Sequence, residues 1–298
     1  SHPLWLIERW IEAFGIAEAE ALARANNEPA PVAFRVVNNR ALEADACETL
    51  RAAGAQLIPS TVAAGAWRIS GAGSLLAEFI AAGKVYVQDE ASQLVALQLD
   101  VQPGQRVLDL CAAPGSKTTH IADLSLDSAV IVAADLHEHR LRTLVSSAQI
   151  QGLGSIHCVA LDGLQLLPLL EGTFDRVLVD APCSGTGTLR RNPEIRWRIS
   201  PADIEDLAGR QQQLLFNAAR VVRPGGRLIY STCSVEPDEN EDVVKTFLEN
   251  NETFRLIELT VNDDLRTSLG KARTWPQREG TDGFFISAFE RKGPSPSV

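Results

Sequence analysis

The sequence predicts an α/β protein in which a parallel sheet, covered by helices on both faces, is preceded by a small α+β domain. Three observations carry that expectation. From about residue 85, continuous apolar strand-like runs alternate with helical stretches, the pattern of strands buried on both sides by crossover helices. Before that point a helix, short strand-like runs and glycines are mixed without such alternation. The chain has 298 residues, 45% apolar and 22% charged, which is enough ordinary globular sequence for about two domains. The expected division is therefore residues 1–84, residues 85–292 and a flexible tail, 293–298.

In order along the chain, Leu4, Ile7, Trp10, Ile11 and Phe14 fall at helical spacing, so residues 4–25 read as one helix, broken by Asn26-Asn27-Glu28-Pro29-Ala30-Pro31. VAFRVV (32–37) reads as a strand and 41–53 as a helix stopped by Gly54, followed by short apolar runs at 55–58 and 66–70. The second part reads as strand RVLDL (106–110), a helix from 116, strand VIVAAD (130–135), helix 137–151, and strand SIHCVA (155–160). Strand RVLVD (176–180), helix 201–222, strand RLIYST (227–232), helix 238–250, and strand-like FRLIEL and FFISAF complete it. No internal repeat is visible.

Composition excludes several classes. No apolar run reaches the eighteen or so residues of a membrane span, and the start lacks a basic-then-apolar signal. Cys47, Cys111, Cys158, Cys183 and Cys233 are odd in number and never in a C-x-x-C pair, which argues for reduced thiols in a cytoplasm rather than a disulfide framework or a zinc site. His137-Glu138-His139 reads as a solvated first helical turn, since side chains two apart face different ways, so no metal is expected. The net charge of −10 opposes nucleic-acid binding in bulk, yet residues 188–200 carry four arginines against one glutamate, and 236–252 carry seven acids against one lysine. The absence of methionine suggests a piece of something longer.

In such folds ligands bind beyond the carboxyl ends of the strands, and four of those ends carry unusual residues. Val107–Thr119 runs from a strand through a small-residue turn into a helix, whose first amides can meet an anion. Asp135 ends the next strand, where a carboxylate can accept both hydroxyls of a ribose. Asp180-Ala-Pro-Cys-Ser-Gly-Thr-Gly-Thr188 and Ser231-Thr-Cys-Ser-Val-Glu-Pro237 then bring Cys183 and Cys233 to adjacent strand ends, an invitation to covalent catalysis.

With these residues the chain resembles the Sun (Fmu) family of RNA cytosine-5 methyltransferases, most closely the bacterial small-subunit rRNA enzymes, over nearly its whole length. DLCAAPGSKTTH is similar to that family's S-adenosylmethionine loop, DAPCSGTG to its proline-cysteine motif and STCSVEPDENE to its threonine-cysteine motif; VQDEASQLVA and EGTDGFF match as well. The resemblance implies a Rossmann-like S-adenosylmethionine-dependent methyltransferase domain behind a small RNA-recognition-like domain. It implies a cofactor site of Cys111, Ala112, Ala113, Pro114, Gly115, Ser116, Lys117, Asp135, Arg140, Asp162 and Asp180. Cys233 is the expected nucleophile and Cys183 the residue that helps release product, with Asp180 and Lys117 completing the catalytic group. Arg190, Arg191, Arg196 and Arg198 are expected to contact RNA, with Trp197 stacking on a base or anchoring the loop. The expected protein is a cytoplasmic monomer with RNA, ribosomal RNA first, as its partner. Ser116 stands where relatives more often have a second glycine, and the chain starts where a helical domain resembling an antitermination factor would end, so unaided RNA affinity is expected to be weak.

Carbon 5 of cytosine is a poor nucleophile until a thiolate adds at carbon 6, yet a free cysteine is only about 3% ionised at neutral pH. Glu236 and Asp238 oppose ionisation, so activation is expected from the cofactor's sulfonium, Lys117, and a protonated Asp180 acting on ring nitrogen 3. Cys111 and Cys158 are expected to be small buried hydrophobes, Cys47 to lie on a helix face, and Asp109 and Asp162 carry alternative readings as a turn cap and a helix opener. Rival functions are a DNA or tRNA cytosine-5 methyltransferase, a nicotinamide dehydrogenase, whose G-x-G-x-x-G is missing, and a non-catalytic RNA-binding assembly factor.

Overall fold

A computed structural model of the chain describes residues 2–168 and 171–293; most of the expected tail, 294–298, lies outside the described residues. Two helices, α1 (Leu4–Phe14) and α2 (Ile16–Ala25), replace the single one expected, because Gly15 adopts φ 84° and ψ 162° between them. That conformation is open to glycine alone, so the chain turns there. The small domain continues with β1 (Val32–Val36), α3 (Glu43–Ala52), β2 (Gln56–Pro59), β3 (Ala66–Ser70), α4 (Gly73–Ala81) and β4 (Val85–Val87). Its strands pair antiparallel in the order β2-β3-β1-β4, and Phe34, Leu50, Ile69, Phe79 and Val85 form its core.

The larger domain runs α5 (Glu90–Gln98), β5 (Arg106–Asp109), α6 (Ser116–Leu124), β6 (Val130–Asp135), α7 (Glu138–Gln151), β7 (Ile156–Ala160) and β8 (Phe174–Asp180). Then come α8 (Ile195–Arg198), α9 (Pro201–Val221), β9 (Val222–Thr232), α10 (Glu241–Glu249), β10 (Phe254–Leu256), β11 (Arg266–Ser268), β12 (Lys271–Thr274) and β13 (Phe284–Arg291). Strand order is β11-β12-β13-β9-β8-β5-β6-β7, with β10 on β13. From β7 to β9 the neighbours are parallel, as expected, but β13 is antiparallel to β9, and β10 and β12 are antiparallel to β13. The sheet is therefore mixed. No crossover helix separates the strands after α10, and a hairpin through Gly270, at φ 67°, joins β11 to β12, so antiparallel pairing is the connection available.

On one face Leu94, Val95 and Ile121 of α5 and α6 pack on Val107, Ile131 and Leu178; on the other, Leu214, Leu215 and Phe247 of α9 and α10 pack on Val177, Val179 and Tyr230. This is a Rossmann-like arrangement. The chain builds outward from β5 through β6 to β7, then returns to add β8 and β9 on the opposite side, so its topological switch point lies between β5 and β8.

Candidate active site

At that switch point the strand ends diverge around a cavity of about 440 Å³, within the size range of small-molecule sites. The β5–α6 loop contributes Cys111, Ala113, Pro114, Ser116 and Lys117 to its wall, and Asp135, Arg140, Asp162, Asp180, Cys183 and Cys233 also line it, with Arg210 and Leu214 of α9. Ala112 and Gly115, expected in the same group, lie behind that wall. The Ala112 amide donates to the Ala134 carbonyl, and a Cβ on Gly115, which sits at φ 108°, would come within 2.6 Å of Leu144. Glycine there lets the loop press against α7.

Asp135 Oδ1 accepts from the His137 amide at 2.9 Å and Oδ2 from the Ala113 amide at 3.2 Å, while Arg140 Nη2 donates to the Ala113 carbonyl at 2.8 Å. These bonds fix a carboxylate at the rim. Asp162 both lines the cavity and caps its own turn, accepting the Leu164 amide at 2.9 Å, so its two readings are compatible. Asp109 faces inward. Its Oδ2 accepts from Thr118 at 2.7 Å, its Oδ1 has no partner, and burial raises its carboxyl to about 7, the Thr118 bond opposing.

The two cysteine loops meet beside this cavity, with Cys183 Sγ 3.3 Å from Cys233 Sγ. The hydrogen bond to Cys233, followed by burial, holds Cys183 well above the ordinary thiol range. Lys117 Nζ donates to Asp180 Oδ2 at 2.7 Å, and Ser231 Oγ to Asp180 Oδ1 at 2.7 Å. Burial works against the Lys117 ammonium, yet Asp180 and then Cys233 hold its pKa above the usual lysine value. A dry ammonium therefore stands next to the paired sulfurs. Glu236 and Asp238, expected to oppose a thiolate, are turned away: both pair with Arg9, and Trp10 Nε1 donates to Glu236 at 3.0 Å. Arg9 of α1 is the cation they share.

Several residues that hold the site were not singled out in the sequence. Glu239 is wholly buried and accepts from the Ser184 amide and hydroxyl, Ser234 Oγ and Gln211 Nε2, tying the Cys183 loop to the Cys233 loop. It sits in the acidic run 236–252, which as a charge pattern signals only solvated surface; its place inside the STCSVEPDENE motif was the available clue. Gly187 is threaded between the loops, its amide donating to the Cys233 carbonyl and its carbonyl accepting from the Gly283 amide. A Cβ on Gly187 would lie 2.0 Å from the Gly283 oxygen, so no other residue fits.

The four arginines are not one surface. Arg196 is 5% exposed and donates to Asn27 Oδ1 and to the Asn26 and Leu189 carbonyls, so it fastens α2 rather than facing outward, a correction forced by helix packing. Arg191 bridges Asp89 and Asp282. Arg190 Nε and Nη2 are buried without a hydrogen-bond partner, and Arg198 is exposed and borders a groove with Ile195, Ile199 and Asp203. Trp197 is exposed. Cys158 also departs from expectation, lying exposed on the edge strand β7, where no further strand covers it; Cys47 is buried in α3. Among the described residues no group of three or more His, Cys, Asp or Glu is placed to hold a metal, and no helix is long and apolar enough to cross a membrane.

Residues 96–290 match the family model described as 16S rRNA methyltransferase RsmB/F, and residues 2–75 match that of the RsmF/B-like ferredoxin-like domain. The chain belongs to the RsmB/F methyltransferase family. It is 35% identical to the probable ribosomal RNA small subunit methyltransferase B of Bacillus subtilis, over 98% of this chain and 67% of the relative. The corresponding Pseudomonas putida protein is 37% identical over 96% of this chain and 66% of its own length, so the chain spans about two thirds of these relatives. A solved methyltransferase homologue from Pyrococcus horikoshii superposes with a TM-score of 0.84 at 30% identity, covering 95% of this chain and 93% of that one. The family's cofactor is S-adenosylmethionine, and the cavity fits it: a rim carboxylate at Asp135 suits a ribose diol, and the first turn of α6 offers amides to a carboxylate.

Proposed function

We propose that this chain methylates carbon 5 of a cytosine in RNA, in the cytoplasm and with small-subunit rRNA as its substrate, through a covalent bond between Cys233 and the base. The observation that carries this reading is the pair of sulfurs 3.3 Å apart at adjacent strand ends, on the wall of the donor cavity and beside the Lys117–Asp180 ion pair. S-adenosylmethionine, when bound, supplies an electrophilic methyl group. Everything else falls to the chain's own groups.

As the Cys233 sulfur bonds to carbon 6 and pushes the carbon 5–carbon 6 electron pair onto carbon 5, Asp180 takes up the proton the thiol releases and passes it to ring nitrogen 3, with Lys117 staying protonated as the counter-ion of Asp180. Carbon 5 then takes the methyl group. The adduct must lose the carbon-5 proton and expel sulfur, and here the coupling of the two thiols matters. The neighbouring Cys233 sulfur is the foremost reason that Cys183 resists ionisation. Once Cys233 is a thioether that influence fades, and Cys183, having released its own proton to solvent, takes the carbon-5 proton as base for the elimination. The thiols thus act in turn. The base must leave its stack, so loop or single-stranded cytosines are the expected targets.

The test uses single alanine variants with labelled S-adenosylmethionine and total RNA from a strain lacking the activity. Cys233→Ala should bind cofactor but transfer no methyl and capture no RNA. Cys183→Ala should transfer methyl and then stall as a protein–RNA species that survives denaturant. The reverse outcome would reverse the roles, and wild-type turnover by both variants would end covalent catalysis by these thiols. Label appearing in tRNA or DNA instead of small-subunit rRNA would redirect the substrate.

A further inference from the structure

Arg35 lies in β1 of the small sheet, 2% exposed, yet its guanidinium reaches across to the larger domain. Nη2 donates to Thr119 Oγ1 and to Gln151 Oε1, each at 3.0 Å, Nε to Gln88 Oε1 at 3.4 Å, and Nη1 stands 3.7 Å from Asp123. A guanidinium withdrawn from water is costly and adds little stability over an apolar side chain of similar size, so its retention calls for a positional reason. Burial lowers its pKa to about 10, still far above neutrality, so the charge remains.

Thr119 supplies the reason. Its Oγ1 accepts from Arg35 and donates to the Gly115 carbonyl at 2.8 Å, the same oxygen that receives the Thr119 amide at 2.9 Å. Gly115 opens α6 in the left-handed region with Leu144 against its back, and has little room to shift. The contact therefore runs from a strand of the small domain, through one hydroxyl, to the residue that sets the first turn of the cofactor helix. We propose that Arg35 is a positioning residue for the S-adenosylmethionine site, acting through Thr119 on Gly115, so that the small domain helps to shape donor binding in the catalytic domain.

Calorimetric titration of S-adenosylmethionine into the whole chain tests this, alongside amide exchange at residues 115–117. Thr119→Val keeps the side chain's shape and should weaken binding about tenfold, the equivalent of one hydrogen bond, with faster exchange at the loop. Thr119→Ser should restore both. Arg35→Met should give a similar loss, and the Arg35→Met, Thr119→Val double variant should bind no more weakly than Thr119→Val, because both act along one path. Asn39→Ala serves as the comparison: its side chain donates to the Gln151 and Gly152 carbonyls at the same interface without touching Thr119, so it should lower the melting temperature and leave donor affinity unchanged. If Arg35→Met does not fold, Thr119→Val against Thr119→Ser and Asn39→Ala still decides. Wild-type affinity in Thr119→Val, additive losses in the double variant, or an equal loss in Asn39→Ala would each overturn the proposal. Failure of the wild-type chain to bind S-adenosylmethionine would instead remove the cofactor site, and the proposal with it.

Discussion

At the scale of single residues, two carboxylates on neighbouring strand ends have opposite surroundings. Asp135 is held at the rim by backbone amides, where it can accept a ribose diol. Asp135→Ala should raise the S-adenosylmethionine dissociation constant ten- to a hundredfold, the loss of about 1.5 to 3 kcal/mol from a charge-assisted pair, and calorimetry measures it. Asp109 is sealed below, with one oxygen unpaired and its pKa raised from 3.8 to about 7 by burial. The folded chain therefore holds this proton at pH values where the unfolded chain has released it, so its contribution to stability is full below about pH 4 and declines as pH rises towards 7. Asp109→Asn keeps an acceptor for Thr118 and cannot ionise. Urea midpoints of the two proteins should agree best near pH 4 and diverge in favour of the variant up to about pH 7; a gap independent of pH would show that Asp109 does not titrate in this window.

At the scale of elements, Glu239 joins the turn after β9 to the loop after β8, so one carboxylate takes part in setting the distance between the two sulfurs. Glu239→Ala leaves the buried Ser184 amide without its partner and removes an acceptor from Gln211, and should cost on the order of 3 kcal/mol in urea unfolding. A thiol-bridging bimane reagent should link Cys183 to Cys233 at least tenfold more slowly in that variant; equal rates would mean that other contacts set the spacing. Such contacts are what the sequence conceals. Strands 106–110, 130–135 and 176–180 were legible because they are continuous apolar runs, and the cysteine and cofactor loops because unusual residues follow those runs. The helices Gly73–Ala81 and Glu90–Gln98 were not, the first for lying among glycines and the second for being buried on nearly all sides, which erases a polar face. Arg196 and Glu239 look like surface charges because their partners are distant in sequence, Asn27 and Gln211 among them.

For the whole molecule, a net charge of −10 must coexist with an RNA substrate, and the structure narrows which cations are free to meet one. Arg198, exposed beside its groove, is a candidate, whereas Arg190 has two nitrogens buried without a partner and Arg191 and Arg196 are engaged within the protein. Arg198→Gln should flatten the salt dependence of RNA binding by up to about one unit of slope, with cofactor affinity unmoved. Arg196→Gln should lower the melting temperature instead and leave the slope alone. RNA titrations over a salt series, paired with thermal melts, separate the two classes, and a loss of slope confined to Arg196→Gln would invert the assignment.

Gly187 is clasped between Cys233 and Gly283, and Gly283 leads directly into β13, the strand that lies between β12 and β9. A chain growing from its amino end on a ribosome thus displays both thiols well before the segment that registers them has been made. Nearly a hundred residues separate 187 from 283, and closing so long a loop is slow compared with forming the helices around it. Nascent chains would therefore pass through an interval with two accessible thiols and no working pair, open to oxidation yet unable to attack a base, and competence would arrive abruptly when β13 docks.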